Sequence, residues 1–281
     1  MAILFDGRFD NAARPSGTGG ARFSSYAKLD ANPVAISVID GAGVSGQYEY
    51  VENFRGLSRV ALLTAPLAST SRIELRPYTE DPAGSGPVYG TRWYWWSTLV
   101  PDDWVFNPSR GVDAGTDLVG NQRCIIAQVH ETADGGDTVH FPPVQLYIEN
   151  DAYVLATTAD TNATTVARCP NLRVLGKWPV VRNRWVDWVL NVKWAADTTG
   201  FINFYKDRRL VYNATGIATT YNDSAGLFMK AGLYWFGDMV KDFGITRRLY
   251  SRGIVVGDAN SSHLEVSGLT VLDRAAMRSC V

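Results

Sequence analysis

Three short segments set polar or ionisable side chains two residues apart with apolar residues between them. They are Arg72-Ile73-Glu74-Leu75-Arg76, Gln128-Val129-His130 and Phe228-Met229-Lys230-Ala231-Gly232-Leu233-Tyr234-Trp235. In an extended chain alternate side chains point to opposite faces, so each segment has one polar and one apolar face. On the polar faces stand Arg72, Glu74 and Arg76, then Gln128 and His130, then Lys230 and Tyr234. Gly232 leaves a gap between the amine and the phenol, the clearance an extended polymer lying across a sheet requires. These residue types suit β-elimination at a uronic acid. Loss of the C5 proton is hard because the adjacent carboxylate resists becoming a dianionic enolate, so donors such as Arg72, Arg76 and Gln128 must neutralise it. Stabilising charge that develops in the transition state is usually the largest catalytic contribution. A base and an acid are also needed, and His130 and Tyr234 can serve. Lys230 on the face of Tyr234 favours the phenolate.

The elements that carry these residues read as strands almost throughout. Val34–Ile39, Arg72–Arg76, Thr91–Val100, Cys124–His130, Val144–Ile148, Tyr153–Thr157, Trp185–Trp194, Phe201–Tyr205, Leu210–Tyr212 and the stretch around Lys230 alternate or are rich in β-branched and aromatic residues. Glu149-Asn150-Asp151 and Lys206-Asp207-Arg208-Arg209 read as hairpin turns, and His263–Leu272 as a last strand with a short helix at Arg274–Met277. Residues 1–33, rich in Gly, Ala, Ser and Asn, read as a loosely structured N-terminal arm or first strand. Residues 105–121 form a polar loop long enough to wall a cleft. No long amphipathic helix, repeat or linker divides the chain. The expectation is an all-β fold: one domain over residues 1–281, a two-sheet β-jelly-roll sandwich of the concanavalin A-like type with a concave polar face.

Composition narrows the partners. A net charge of −1 over 281 residues gives no general attraction to nucleic acid or an anionic membrane. No run approaches the roughly 20 apolar residues that span a bilayer. Nine Trp and thirteen Tyr suit strands and carbohydrate surfaces. Cys124, Cys169 and Cys280 form no metal-ligand pattern, and a disulfide framework is not expected in a chain this long. The short apolar start is cut at Asp6, so no signal peptide is expected. Gly41-Ala42-Gly43-Val44-Ser45-Gly46 matches a dinucleotide fingerprint but continues into a strand, and is read as a turn. The loop Glu131–Asp137, with Asp134 and Asp137, offers oxygen ligands for a structural calcium ion, but its spacing is not that of an EF-hand and a plain solvated turn is the favoured reading. No other cofactor is expected. His140 is read as a loop or structural residue, and so is His263.

The three segments resemble the signature strands of the jelly-roll polysaccharide lyases, which include alginate lyases, glucuronan lyases and the heparin lyase I family. Leu99-Val100-Pro101-Asp102-Asp103-Trp104, together with Trp188 through the Lys206-Asp207 hairpin, is most similar to the heparin lyase I-like group. The resemblance implies an acidic polysaccharide as substrate. It also implies carboxylate binding by Gln128 and Arg72 or Arg76, His130 and Tyr234 as base and acid, assistance from Lys230, and Glu74 as orienter of an arginine. A second expectation keeps the scaffold without the chemistry, as a carbohydrate-binding or virion decoration protein. A virion-borne depolymerase, extracellular or virion-associated and in contact with other virion proteins, would combine the two.

Overall fold

A computed structural model describes residues 3–6, 23–28, 35–40, 59–65, 72–77, 90–104, 123–138, 140–149, 151–224, 226–235 and 247–267. In the first five of these segments it describes the backbone and, of the side chains, that of Glu74. Among these residues fifteen strands, all paired antiparallel, form two sheets. In chain order the strands are β1 (Ile3–Asp6), β2 (Phe23–Lys28), β3 (Ala35–Asp40), β4 (Arg59–Ala65) and β5 (Arg72–Pro77). There follow β6 (Gly90–Leu99), β7 (Cys124–His130), β8 (Val144–Glu149), β9 (Ala152–Thr157) and β10 (Arg173–Pro179). The last five are β11 (Trp185–Trp194), β12 (Gly200–Lys206), β13 (Arg209–Ile217), β14 (Phe228–Trp235) and β15 (Arg247–Gly257).

The first sheet runs β13-β12-β11-β6-β15-β4-β3, with β1 also on β15; the second runs β10-β9-β8-β7-β14-β5-β2. All three segments that carry the candidate chemistry therefore lie side by side in the second sheet, with β14 between β5 and β7. Strands distant in sequence become neighbours because each has one apolar face to bury against the first sheet.

The core between the sheets joins Tyr94, Trp96, Trp188, Leu190, Trp194 and Phe204 of one sheet to Ala127, Val129, Leu146, Tyr153, Met229 and Leu233 of the other. Tyr153 meets Trp188 edge-on across the gap, ring centroids 5.0 Å apart. Burying side chains of this size contributes about 1.5–3 kcal/mol each. Two of the indoles are answered inside the core: Trp188 Nε1 donates to Thr98 Oγ1 at 3.1 Å, and Trp194 Nε1 to the Tyr94 hydroxyl at 3.0 Å. The aromatic density of β6 and β11 is thus structural.

Several expectations are refined. Residues 1–33 contain two paired strands, β1 and β2. The last described strand is β15, and His263–Ser267 is a short helix, α1, rather than a strand. Val266 explains the difference: one turn of helix seals it against Trp95, Val189 and Val255 on the far face of the first sheet. The strand alternation read there is too short to hold against that packing. No helix among the described residues is long and apolar enough to cross a membrane. The turn at 41–46, the loop at 105–121 and the helix at 274–277 lie outside the described residues.

Candidate active site

Alternation on β14 is regular. Met229, Ala231 and Leu233 enter the core, and Phe228, Lys230 and Tyr234 face away from the first sheet. On β7 the pattern breaks. The register with both β8 and β14 shifts across Ile126, and Ile126 and Ala127 are both buried in the core. The irregularity turns Ile125 onto the same face as Gln128 and His130, as β-bulges do. The cross-strand pairs that result are His130 opposite Phe228, Gln128 opposite Lys230, and Ile125 opposite Tyr234. On the other side of β14, Gly232 stands opposite Glu74 and Tyr234 opposite Arg72.

Glu74, Gln128 and Lys230 form one buried group, at 1%, 1% and 3% exposure. Gln128 Nε2 donates to Glu74 Oε1, and the Lys230 ammonium lies 3.8 Å from Glu74 Oε2. Because a carboxylate only accepts, the Gln128 amide must present its nitrogen to Glu74, which leaves its oxygen as a buried acceptor. Lys230 also sits over the Phe228 ring, 5.0 Å from its centroid, a cation–π contact. One carboxylate on β5 thus ties β14 to β7 through groups 54 residues apart in the Gln128 pair. The orienting carboxylate expected for an arginine acts, within the described residues, on an amide and an amine. The side chains of Arg72 and Arg76 lie outside the described residues; the backbone sets Arg72 opposite Tyr234 and Arg76 opposite Ser24 on β2.

His130 and Tyr234 flank this buried group from opposite ends. Five residues of β7 separate the row of His130 from that of Tyr234, and six residues of β14, about 17–20 Å along the strands. Gly232 and Lys230 lie between them. The His130 side chain is 22% exposed and its ring stacks on Phe228 with centroids 5.5 Å apart. Tyr234 packs partly against a small apolar cluster of Ile125, Tyr147, Val154 and Ala156 on the same face. The arrangement offers an accessible imidazole and a phenol on either side of a gap floored by glycine.

Of the residues not singled out in the sequence, Glu131 adjoins His130, and two more, Tyr221 and Asp223, gather around His140 behind it. Glu131 packs against the imidazole, and its carboxylate reaches His140, a buried residue whose ring stacks on Tyr221 at 4.3 Å. The third, Asp223, belongs to a cluster in which carboxylate oxygens of Asp134, Asp137 and Asp223 lie within 4.8 Å of one another. Adjacency to His130 was a signal for Glu131. For Asp223 and Tyr221 there was none, since a loop far along the chain brings them in. Oxygen ligands of this kind could hold a calcium ion.

Burial, then a shared hydrogen bond with Asp137 and the charges of Asp137, Glu131 and Asp134, push the Asp223 carboxyl up to about 7. Burial works against the Asp137 anion as well. Bonds from the Thr165 N–H, at 2.6 Å, and from Asp223 outweigh it and hold Asp137 below the usual range. A raised carboxyl pKa favours the folded state at low pH, and the benefit is lost as pH rises through the folded value. Asp223→Asn should therefore raise Tm more at pH 8 than at pH 5. Thermal melts of both proteins across that range check it, and equal shifts at both pH values would contradict the raised carboxyl.

The sequence matches a family model described as polysaccharide lyase over residues 22–250. No curated protein matches it. Among solved structures, the endo-beta-1,4-glucuronan lyase of the fungus Trichoderma reesei is similar, with a TM-score of 0.60 at 19% identity over 83% of this chain and 90% of that one. The catalytic domain of a GH131 beta-glucanase from Podospora anserina gives a TM-score of 0.54 at 13% identity, over 93% and 98%. At such identities the likeness is one of fold: the chain is a two-sheet jelly roll.

Proposed function

The chain belongs to the polysaccharide lyase family, and from that membership we propose that it cleaves a uronic acid-containing polysaccharide by β-elimination. The observation that carries the reading is the convergence of β5, β14 and β7, which brings Glu74, Gln128 and Lys230 into contact and sets His130 and Tyr234 on either side of them. The polymer crosses the strands, with one sugar ring over Gly232. His130 takes the C5 proton. The electron pair of the C–H bond forms the C4=C5 double bond as the C4–O bond breaks, and Tyr234 supplies the proton to the leaving oxygen. The second amide hydrogen of Gln128, with Arg72 and Arg76, serves the carboxylate. The positive Lys230 lowers the cost of the anionic intermediate.

The heparin lyase I-like resemblance and the glucuronan lyase fold neighbour both favour an acidic polymer. The reaction as written uses no cofactor, and calcium at Asp134, Asp137 and Asp223 would be structural. A rise in Tm on titration with calcium chloride is its test. The setting we propose is extracellular, including a virion-borne depolymerase.

Turnover should appear as new ultraviolet absorbance from the unsaturated uronate end. The test is a panel of glucuronan, alginate, heparin, heparan sulfate and bacterial capsular polysaccharides, each assayed for absorbance and for binding. Absorbance growth on one or more polymers supports the lyase. Binding without absorbance on every polymer favours the second reading, a carbohydrate-binding or virion decoration protein. The wide register between His130 and Tyr234 is the observation that favours that alternative.

A further inference from the structure

Two acceptors of one residue converge on His130 Nδ1. The backbone carbonyl of Glu131 lies 2.6 Å away and its Oε2 3.1 Å away. Two acceptors and, among the described residues, no donor at one ring nitrogen place the proton on Nδ1 in the neutral ring, and leave Nε2 with its lone pair. The ring has little freedom to turn over, because Phe228 stacks on it and both Glu131 contacts hold the same nitrogen.

Glu131 itself is fixed from behind. It is 3% exposed, and its Oε1 lies 3.3 Å from Nδ1 of His140, whose side chain is fully buried. The other nitrogen of His140 faces the Thr165 carbonyl at 3.2 Å. Tyr221, against which His140 stacks, donates its one hydroxyl proton to the Phe141 carbonyl at 2.9 Å and shares a second hydrogen bond with Thr158 Oγ1 at 2.6 Å. The carboxylate thus sits between two imidazoles at ion-pair distance, while the hydrogen bond to His130 Nδ1 is made by the Glu131 backbone carbonyl.

We propose that Glu131 is a positioning residue for the elimination: it holds His130 in the Nδ1–H form with Nε2 directed at the sugar, and its charge stabilises the imidazolium formed when that nitrogen takes the C5 proton. The inference rests on the lyase reading, in which His130 is the base. A carboxylate that orients a histidine base and answers its developing charge is a recurrent arrangement in acid–base catalysis.

Two measurements test it, one independent of turnover. Nitrogen-15 NMR of the wild-type protein at alkaline pH reads the neutral tautomer of His130, assigned by its loss in His130→Gln. A proton on Nδ1 is expected, and a proton on Nε2 overturns the proposal whether or not any polymer is cleaved. The second is steady-state kinetics of Glu131→Gln and Glu131→Asp on whichever polymer the wild type cleaves. A glutamine can accept from His130 and donate to His140, so the fold should hold while the charge is lost. The expected result is a kcat lower by about 10–100-fold, less than the roughly 10²–10⁴-fold for loss of the base itself, with KM within about twofold and partial recovery in Glu131→Asp. An unchanged kcat in folded Glu131→Gln overturns the proposal. If no polymer is turned over by the wild type, the lyase reading fails and the tautomer alone decides the Glu131–His130 relation.

Discussion

Glu74→Ala is expected to destabilise the protein by about 3–5 kcal/mol, the usual cost of removing one partner of a buried ion pair. The effect comes from what is left behind. Lys230, 3% exposed, would lose a carboxylate 3.8 Å from its ammonium, and Gln128, 1% exposed, would lose its acceptor. Three strands meet at this point, so the loss falls on the junction of β5, β14 and β7 rather than on one edge. Urea unfolding of both proteins measures it, and a change below about 1 kcal/mol would remove Glu74 from that role. A second variant separates charge from volume. In Glu74→Leu/Lys230→Met neither charge remains, so much of the stability should return, and the two substitutions should be strongly non-additive. Activity should not return with it, because the cation opposite Gln128 is gone.

How far the sequence disclosed this junction depends on the kind of constraint involved. Arg72–Arg76, Gln128–His130 and Lys230–Tyr234 were legible as strands with one polar face because alternation is a local property of side chains. Their adjacency was legible only through the family resemblance; nothing within five residues of Lys230 says that β5 lies on one side of it and β7 on the other. The shift across Ile126 was hidden. Cys124-Ile125-Ile126-Ala127 is uniformly apolar, and no period in it tells which residue turns outward. That one irregularity decides that Tyr234 faces Ile125 rather than Cys124. Strand β10 was missed for the opposite reason: at the sheet edge its residues are mostly exposed or half-buried, and its core-packing residues, Leu175 and Trp178, stand three apart beside a register shift rather than two. Glu131 stood next to His130 in plain view. Its role depends on where the chain turns at the end of β7, which brings back His140 and, from a third segment, Tyr221.

Tyr234→Phe should lower turnover by about 10²–10⁴-fold, the range for loss of a general acid, while folding and polymer binding persist. The change removes one oxygen and keeps the ring that packs against the Ile125, Tyr147, Val154 and Ala156 cluster, so the fold has little reason to respond. What the phenol contributes follows from its place in the register. It stands opposite Arg72 on β5 and beyond Gly232 from Lys230, at the end of the gap away from His130. In the proposed reaction it would approach a sugar ring over Gly232 from the end opposite His130. His130→Gln is the companion variant, and the pair discriminates between mechanisms. If both lose activity to a similar degree, the two residues divide the proton transfers as proposed. If Tyr234→Phe alone is inactive, the tyrosine takes the C5 proton and returns it to the leaving oxygen by itself, and His130 serves binding. Full activity in Tyr234→Phe, with kcat and KM both unchanged, would remove the phenol from the reaction and leave its position opposite Arg72 a matter of packing.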